Sequence, residues 1–179
     1  MHGEKDGADW LVRRFAPLFE GADAPVLDVA AGEGRNGLHL ARLGVKVVCC
    51  DVSADALAHA ESAAREEGLP LTTWRVDLES GKCPLDEGEW GGMLVFRYLH
   101  RPLVPCLKAA LRPGALLLYE TFTIQQRELG KPSNPDFLLR PGELRELFED
   151  FDILHYEEGR FSNPDRHAAR LAARKPSVS

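Results

Sequence analysis

The sequence predicts a doubly wound α/β domain, a mostly parallel seven-stranded sheet with helices on both faces. Three observations carry that prediction. Short apolar runs alternate along the chain with helix-period patterns, the order that builds parallel sheets. A glycine-rich turn from Gly32 to Gly37 joins the first apolar run to a helix start. Aspartates at positions 28, 51 and 77 stand at or near the carboxyl ends of three successive runs, where open α/β sheets bind ligands. The 179 residues suit one such domain over 1–179 and are too few for two ordinary ones.

Each element has its own signal. Trp10, Leu11, Phe15 and Leu18 fall at helical spacing and predict a first helix over 8–19, which Pro17 kinks or shortens. Val26 to Ala30 is the first strand, and Asn36 to Leu43 a helix stopped at Gly44. Val45 to Cys50 is apolar except for Lys46, as a buried parallel strand is. Ser53 caps a helix that lasts to about Glu67 and ends at Gly68. Leu71 to Val76 and Gly92 to Phe96 are the third and fourth strands. A helix over 103–111 stops at Pro113-Gly114, and Ala115 to Glu120 is the fifth strand. Pro141 opens a last helix to about Glu149, and Phe151 to Tyr156 reads as a strand. His167 to Lys175 has two readings, since its place in the order suits an edge strand and its alanines suit a helix. The seventh strand depends on it.

Composition narrows the function classes. No apolar run approaches the roughly 20 residues of a membrane helix, and the charged start MHGEKDGADW lacks the apolar core of a secretory signal, so a cytoplasmic setting is expected. A net charge of −6 argues against a nucleic-acid partner, and Arg97, Arg101, Lys108 and Arg112 are the nearest thing to a basic patch. Cys49 and Cys50 lie in an apolar run and read as buried small hydrophobes. With no CxxC pair or histidine cluster beside Cys83 and Cys106, no metal site is indicated and reduced thiols are expected.

The turn is where the chemistry is legible. Gly32-x-Gly34-x-x-Gly37 matches a dinucleotide fingerprint, and its glycines let a ligand approach the backbone at a helix N-terminus. Glu33 sits between the first two glycines and Asp28 just before the turn. Two carboxylates beside a pyrophosphate repel it, whereas beside an ammonium and a sulfonium they attract. The turn therefore favours a cationic cofactor over NAD. Asp51, 23 positions after Asp28, stands where an acid accepts bonds from ribose hydroxyls, and Asp77 where one meets an adenine amino group. Each aspartate alone also reads as a strand-end turn residue or helix cap.

Taken together, VLDVAAGEGRNG, the acidic DVS at Asp51 and VDLE around Asp77 resemble the class I S-adenosylmethionine-dependent methyltransferases over almost the whole chain. GEGRNGLHLARLGVKVVCCDVSADALAHA, FRYLHRPL, LRPGALLLYETF and GKPSNPDFLLRPGEL are similar to bacterial members of the branch with the tellurite- and thiopurine-methylating enzymes. Ala30 replaces a glycine usual in the family, and Ala31 a cysteine common in this branch. The resemblance implies S-adenosyl-L-methionine as cofactor and a Rossmann-like fold. It places Asp28 and Gly32 by the methionine moiety, Ala30 and Gly34 also at the cofactor, Asp51 and Val52 by the ribose and adenine, and Asp77 and Leu78 at the adenine edge. Phe96 and Arg97 border the sulfonium, while Arg35 and Asn36 either contact the cofactor carboxylate or only cap the helix.

Methyl transfer from a sulfonium is an in-line displacement that positioning alone can largely catalyse. The acceptor is expected over the fourth and fifth strand ends, near Arg97, Tyr98, His100, Arg101, Glu120 and Thr121, with the loop 123–139 as a lid. Catalytic candidates are His100 as a base, Arg101 to orient an anion, and Tyr98 as a hydrogen-bonding group. Their alternatives are structural: a turn for His100, a pair with Glu120 for Arg101, half-buried core for Tyr98. FRYLHRP stands where methyltransferases of exocyclic base amines carry Asn/Asp-Pro-Pro-aromatic. The expected function is methyl transfer to a heteroatom of a small molecule. Its rivals are an RNA or protein methyltransferase working with a partner chain, and a cofactor-binding module without turnover. A pocket open above Phe96 favours turnover, and one plugged by Tyr98 or the lid favours sensing. Oligomeric state is not encoded in any of these signals.

Overall fold

The computed structural model describes residues 7–177. One sheet of seven strands runs through it: β1 Val26–Val29, β2 Val47–Asp51, β3 Leu71–Arg75, β4 Trp90–Phe96, β5 Leu111–Phe122, β6 Asp152–Phe161 and β7 Arg166–Arg174. Their order across the sheet is β3-β2-β1-β4-β5-β7-β6. β1 to β5 pair in parallel, and β7 runs antiparallel to both of its neighbours. The helices are α1 Trp10–Phe15, α2 Arg35–Arg42, α3 Ala54–Glu67, α4 Val104–Ala110 and α5 Glu143–Leu147.

Alternation along the strands divides the core in two. Leu27 and Val29, Met93 and Val95, and Leu117 and Tyr119 join the cluster that takes in α4 and α5. Val26, Leu94 and Phe96, and Leu116 and Leu118 join the cluster under α1, α2 and α3. Helices on both faces explain why strand positions of both parities are apolar. The expected fold class is present: a doubly wound, mostly parallel Rossmann-like sheet with helices on both faces. Its strand order reverses between β1 and β4, and the crevice beyond their carboxyl ends is the ligand position of such sheets.

Three expectations change. β7 is an inner strand and β6 the edge, so Ala168, Ala169, Ala172 and Ala173 are buried strand residues. Small side chains fit a strand covered on both faces, and their helix propensity is overridden by pairing on two sides. In the first helix Leu11 and Phe15 are core, but Trp10 and Leu18 are 38% and 46% exposed. Val12, Ala16 and Phe19 take their place, because at Pro17 the α-helix has given way to a 3-10 turn over Ala16–Phe19. Finally, Cys83 and Cys106 are joined in a disulfide between the segment before β4 and α4, while Cys49 and Cys50 are free and buried. Their separation of 23 positions gave no motif to read. Among the described residues no helix is long and apolar enough to cross a membrane, and none of their acidic, histidine and cysteine side chains group as a metal site.

Candidate functional site

Three cavities share lining residues, two of them over the carboxyl ends of the parallel strands. The middle one, about 370 Å³, is lined by Asp28, the turn from Ala30 to Asn36, and Phe96 and Arg97. It occupies the crevice where the strand order reverses. On one side, sharing Ala30, is a smaller cavity of about 110 Å³ lined by Asp51, Val52, Val76, Asp77, Leu78, Glu79 and Tyr98. On the other, sharing Arg35 and Arg97, is one of about 490 Å³ between the start of α1 and the β6–β7 hairpin. All twelve residues expected at the cofactor thus line the first two cavities.

Backbone geometry shapes the middle cavity. Ala30, Gly32 and Gly34 all have positive φ, at +51°, +57° and +76°. For Ala30 that region carries strain, which is why a glycine is usual there. A side-chain carbon built on Gly32 would meet nothing within 4 Å, so its surface is open cavity. At Gly37 such an atom would lie 2.8 Å from Cys49 Sγ and 2.9 Å from Asp28 Oδ2. Gly37 therefore serves the close approach of α2 to the sheet. Arg97, directly after β4, also has positive φ (+53°), strain at the cavity itself.

The acids divide by environment. Asp28 is buried, and its Oδ2 accepts a bond from the Gly37 N–H at 3.0 Å. Burial pushes its carboxyl up to about 7, although the Gly37 bond and Arg35 pull the other way. The residue read from the sequence as a plain negative charge is thus half neutral near pH 7, and a cation beside it would ionise it. Asp51 is tied twice: Oδ2 accepts from Gly32 N–H at 2.9 Å and Oδ1 from Ser53 N–H at 2.8 Å. Asp77 accepts the Glu79 N–H at 2.9 Å.

Arg35, Asn36 and Arg97 converge on a residue that sequence reasoning missed, Asp9. Its carboxylate accepts from Arg35 at 2.6 Å, Asn36 Nδ2 at 2.9 Å and Arg97 at 3.3 Å, and its N–H donates to Asn36 Oδ1 at 2.9 Å. An Asp just ahead of a helix reads as a cap, yet its side chain caps nothing here. No signal in the sequence joins it to Arg97, 88 positions away.

Of the catalytic candidates, Tyr98 and His100 meet at Glu79, whereas Arg101 lies apart. Tyr98 lines the small cavity and donates to Glu79 at 3.3 Å; burial and that carboxylate raise its hydroxyl, so it stays a donor. His100 Nδ1 stands 3.6 Å from the same Glu79. Arg101 turns away from all three cavities: it forks onto Glu143 at 2.7 and 2.8 Å and bonds the Leu138 carbonyl at 2.9 Å. The pair considered for it, Glu120, is held by Arg166 at 2.6 Å instead. The loop 123–139 lines none of the three cavities; its ends bond to each other, Ile124 N–H to the Leu139 carbonyl at 2.9 Å. Nor do Arg97, Arg101, Lys108 and Arg112 form a basic patch, since Lys108 pairs with Asp150 and Arg112 with Asp23.

The site's residues suit S-adenosylmethionine. The open face at Gly32, the ionisable Asp28 and the small cavity with Val52, Val76 and Leu78 match a cationic amino-acid end and a flat base.

Comparisons with known proteins agree. Residues 26–114, about half of the chain, match the methyltransferase domain family. "Probable S-adenosyl-L-methionine-dependent methyltransferase TehB" of Haemophilus influenzae is 25% identical over 153 residues, covering 82% of this chain and 53% of that protein. The chain thus spans about half the length of the curated relatives it matches. The crystal structure of TehB from H. influenzae superposes with a TM-score of 0.76 at 22% identity, over 92% of this chain and 61% of that one. A SAM-dependent methyltransferase structure from Methanosarcina mazei gives 0.73 at 17%, over 90% and 97%. The domain match and the curated relatives identify a class I S-adenosylmethionine-dependent methyltransferase domain in this chain, which is similar to TehB in sequence and fold.

Proposed function

We propose that the chain, as one catalytic domain, transfers the methyl group of S-adenosylmethionine to a heteroatom of a small molecule. The observation that carries this reading is the third cavity. It shares Arg35 and Arg97 with the middle one, and at about 490 Å³ it has the size of a small-ligand pocket. Its walls, the start of α1 and the β6–β7 hairpin, lie on either side of that space.

In this reading Asp28, Ala30, Gly32, Gly34, Arg35, Asn36, Phe96 and Arg97 would hold the methionine end. Asp51, Val52, Asp77 and Leu78 would hold the adenosine, with Tyr98 against it. The bound cofactor supplies an electrophilic methyl on a sulfonium. The acceptor would bring a lone pair to that methyl carbon, sulfur would keep the electron pair of the broken carbon–sulfur bond, and any proton on the acceptor would pass to solvent. The chain supplies position and a shielded cavity, and no base is required. Phe96 borders open space and Tyr98 does not plug it, which supports turnover over sensing.

Calorimetric titration with S-adenosylmethionine, S-adenosylhomocysteine and NAD in parallel is the test, followed by an acceptor screen read by S-adenosylhomocysteine release. Binding of the first two without NAD, then release with a small acceptor, is expected. Binding of NAD alone overturns the reading.

A further inference from the structure

Resting on that reading, we propose that the acceptor is an organic anion, its charged group taken by the arginines that wall the third cavity. Arg13, Arg35, Arg97, Arg166 and Arg170 all line it, with Asp9 as the only carboxylate on its wall among the described residues. That concentration stands out in a chain with 22 basic against 28 acidic residues.

The pairing leaves positive charge over. Among the described residues, Asp9 alone answers both Arg35 and Arg97. Behind the wall, Glu120 answers Arg166, and Glu157 answers Arg170 at 2.6 Å. Arg13 bonds the Ala8 carbonyl, a neutral group. Among the described residues, three carboxylates therefore face five guanidiniums. Guanidiniums present planar forks that match carboxylate and phosphate.

Two features say organic. The volume, about 490 Å³, lies in the range of pockets for organic ligands and far exceeds a bare oxyanion. Trp10 and Phe161 flank the Arg170 guanidinium, whose carbon lies 4.2 Å and 3.9 Å from their ring centres. The stacking fixes that cation and lines the cavity with apolar surface for a carbon skeleton. Placement also suits the chemistry. An anion here lies next to Arg97, which also lines the cavity where the sulfonium would sit, so its negative charge would attract that cation while its nucleophilic atom is methylated.

The test uses protein saturated with S-adenosylhomocysteine, so failure of that first titration indicts the methyltransferase reading and not this inference. Matched probes are then titrated: 4-hydroxybenzoate against 4-hydroxybenzamide, phenyl phosphate, and inorganic phosphate. The expected result is at least tenfold preference for the organic anions over the amide and over inorganic phosphate. Arg13→Gln and Arg170→Gln should each weaken the preferred anion about tenfold and leave S-adenosylhomocysteine affinity unchanged. Because Arg13 is exposed on α1, its replacement tests the pocket without risk to the core. Equal binding of the amide, or indifference to both substitutions, overturns the proposal. Inorganic phosphate binding as tightly as the organic anions overturns its organic half, and the carboxylate and phosphate arms identify the charged group.

Discussion

Asp51 Oδ2 accepts the Gly32 N–H at 2.9 Å, so the acid that ends β2 holds the glycine turn that follows β1. The two strands are neighbours in parallel register, which brings the groups together. Asp51 therefore orders the middle cavity before any ligand arrives. Asp51→Ala should lower S-adenosylhomocysteine affinity ten- to a hundredfold, about 1.5–3 kcal/mol for charge-assisted bonds. Asp51→Asn retains an acceptor for Gly32 and should fall between. Calorimetry measures both, and unchanged affinity in Asp51→Ala would exclude the proposed cofactor placement.

Arg101 is expected to matter for stability. Glu143 is 2% exposed, and its carboxyl is held down at about 2, chiefly by the Arg101 fork. A carboxyl depressed in the folded state contributes stability above its unfolded pKa of 4.5, lost as pH falls toward 2. Arg101→Ala strands that buried charge and should cost about 3 kcal/mol, the low end for a broken buried pair because Arg101 itself is 35% exposed. The loss should be large at pH 7 and shrink near pH 3 in urea melts. Weaker turnover at unchanged stability would return Arg101 to the reaction.

How far the sequence could be read follows from range. The strands, their aspartates and the glycine turn carry local signals of period, cap and positive φ, and these landed in place. What pairs at a distance did not. Asp9 with Arg97, Arg101 with Glu143 and Cys83 with Cys106 meet only because the sheet order brings their elements together. The arginines of the third cavity come from α1, α2, the β4 end and β7. Two of them, Arg166 and Arg170, lie in or beside the stretch whose alanines blurred strand and helix. A local period cannot see such a cluster.

The buried Asp28 predicts a pH dependence with a definite sign. Its carboxyl rises from 3.8 to about 7 on folding, so its neutral form is favoured inside. That contribution to stability is present below 3.8 and is lost as pH climbs through 7. Asp28→Asn should remove the slope in this window and be more stable than wild type at pH 8, by up to about 4 kcal/mol. A cationic ligand should draw the proton off. Near pH 6.5, S-adenosylmethionine binding should release a proton, seen as an enthalpy that changes with buffer, and should tighten toward pH 8. Buffer-independent heat in the wild type would remove Asp28 from the cofactor site.

Two glycines of the same fingerprint should fail in different ways. Gly32 has φ of +57° and open space around it, so Gly32→Ala is expected to cost the fold only about 1 kcal/mol of backbone strain. The new methyl would stand in the cavity, and S-adenosylhomocysteine affinity should drop at least tenfold. Gly37→Ala places its methyl 2.8 Å from Cys49 Sγ and 2.9 Å from Asp28 Oδ2, both buried. It should destabilise the fold by about 1–3 kcal/mol, the usual cost of overpacking. Thermal melts with and without S-adenosylhomocysteine separate the two. Gly32→Ala should melt near wild type yet gain little from ligand, whereas Gly37→Ala should melt early and still respond to ligand. The reverse pattern would move the cofactor from the face of the turn at Gly32 to the packing side of α2.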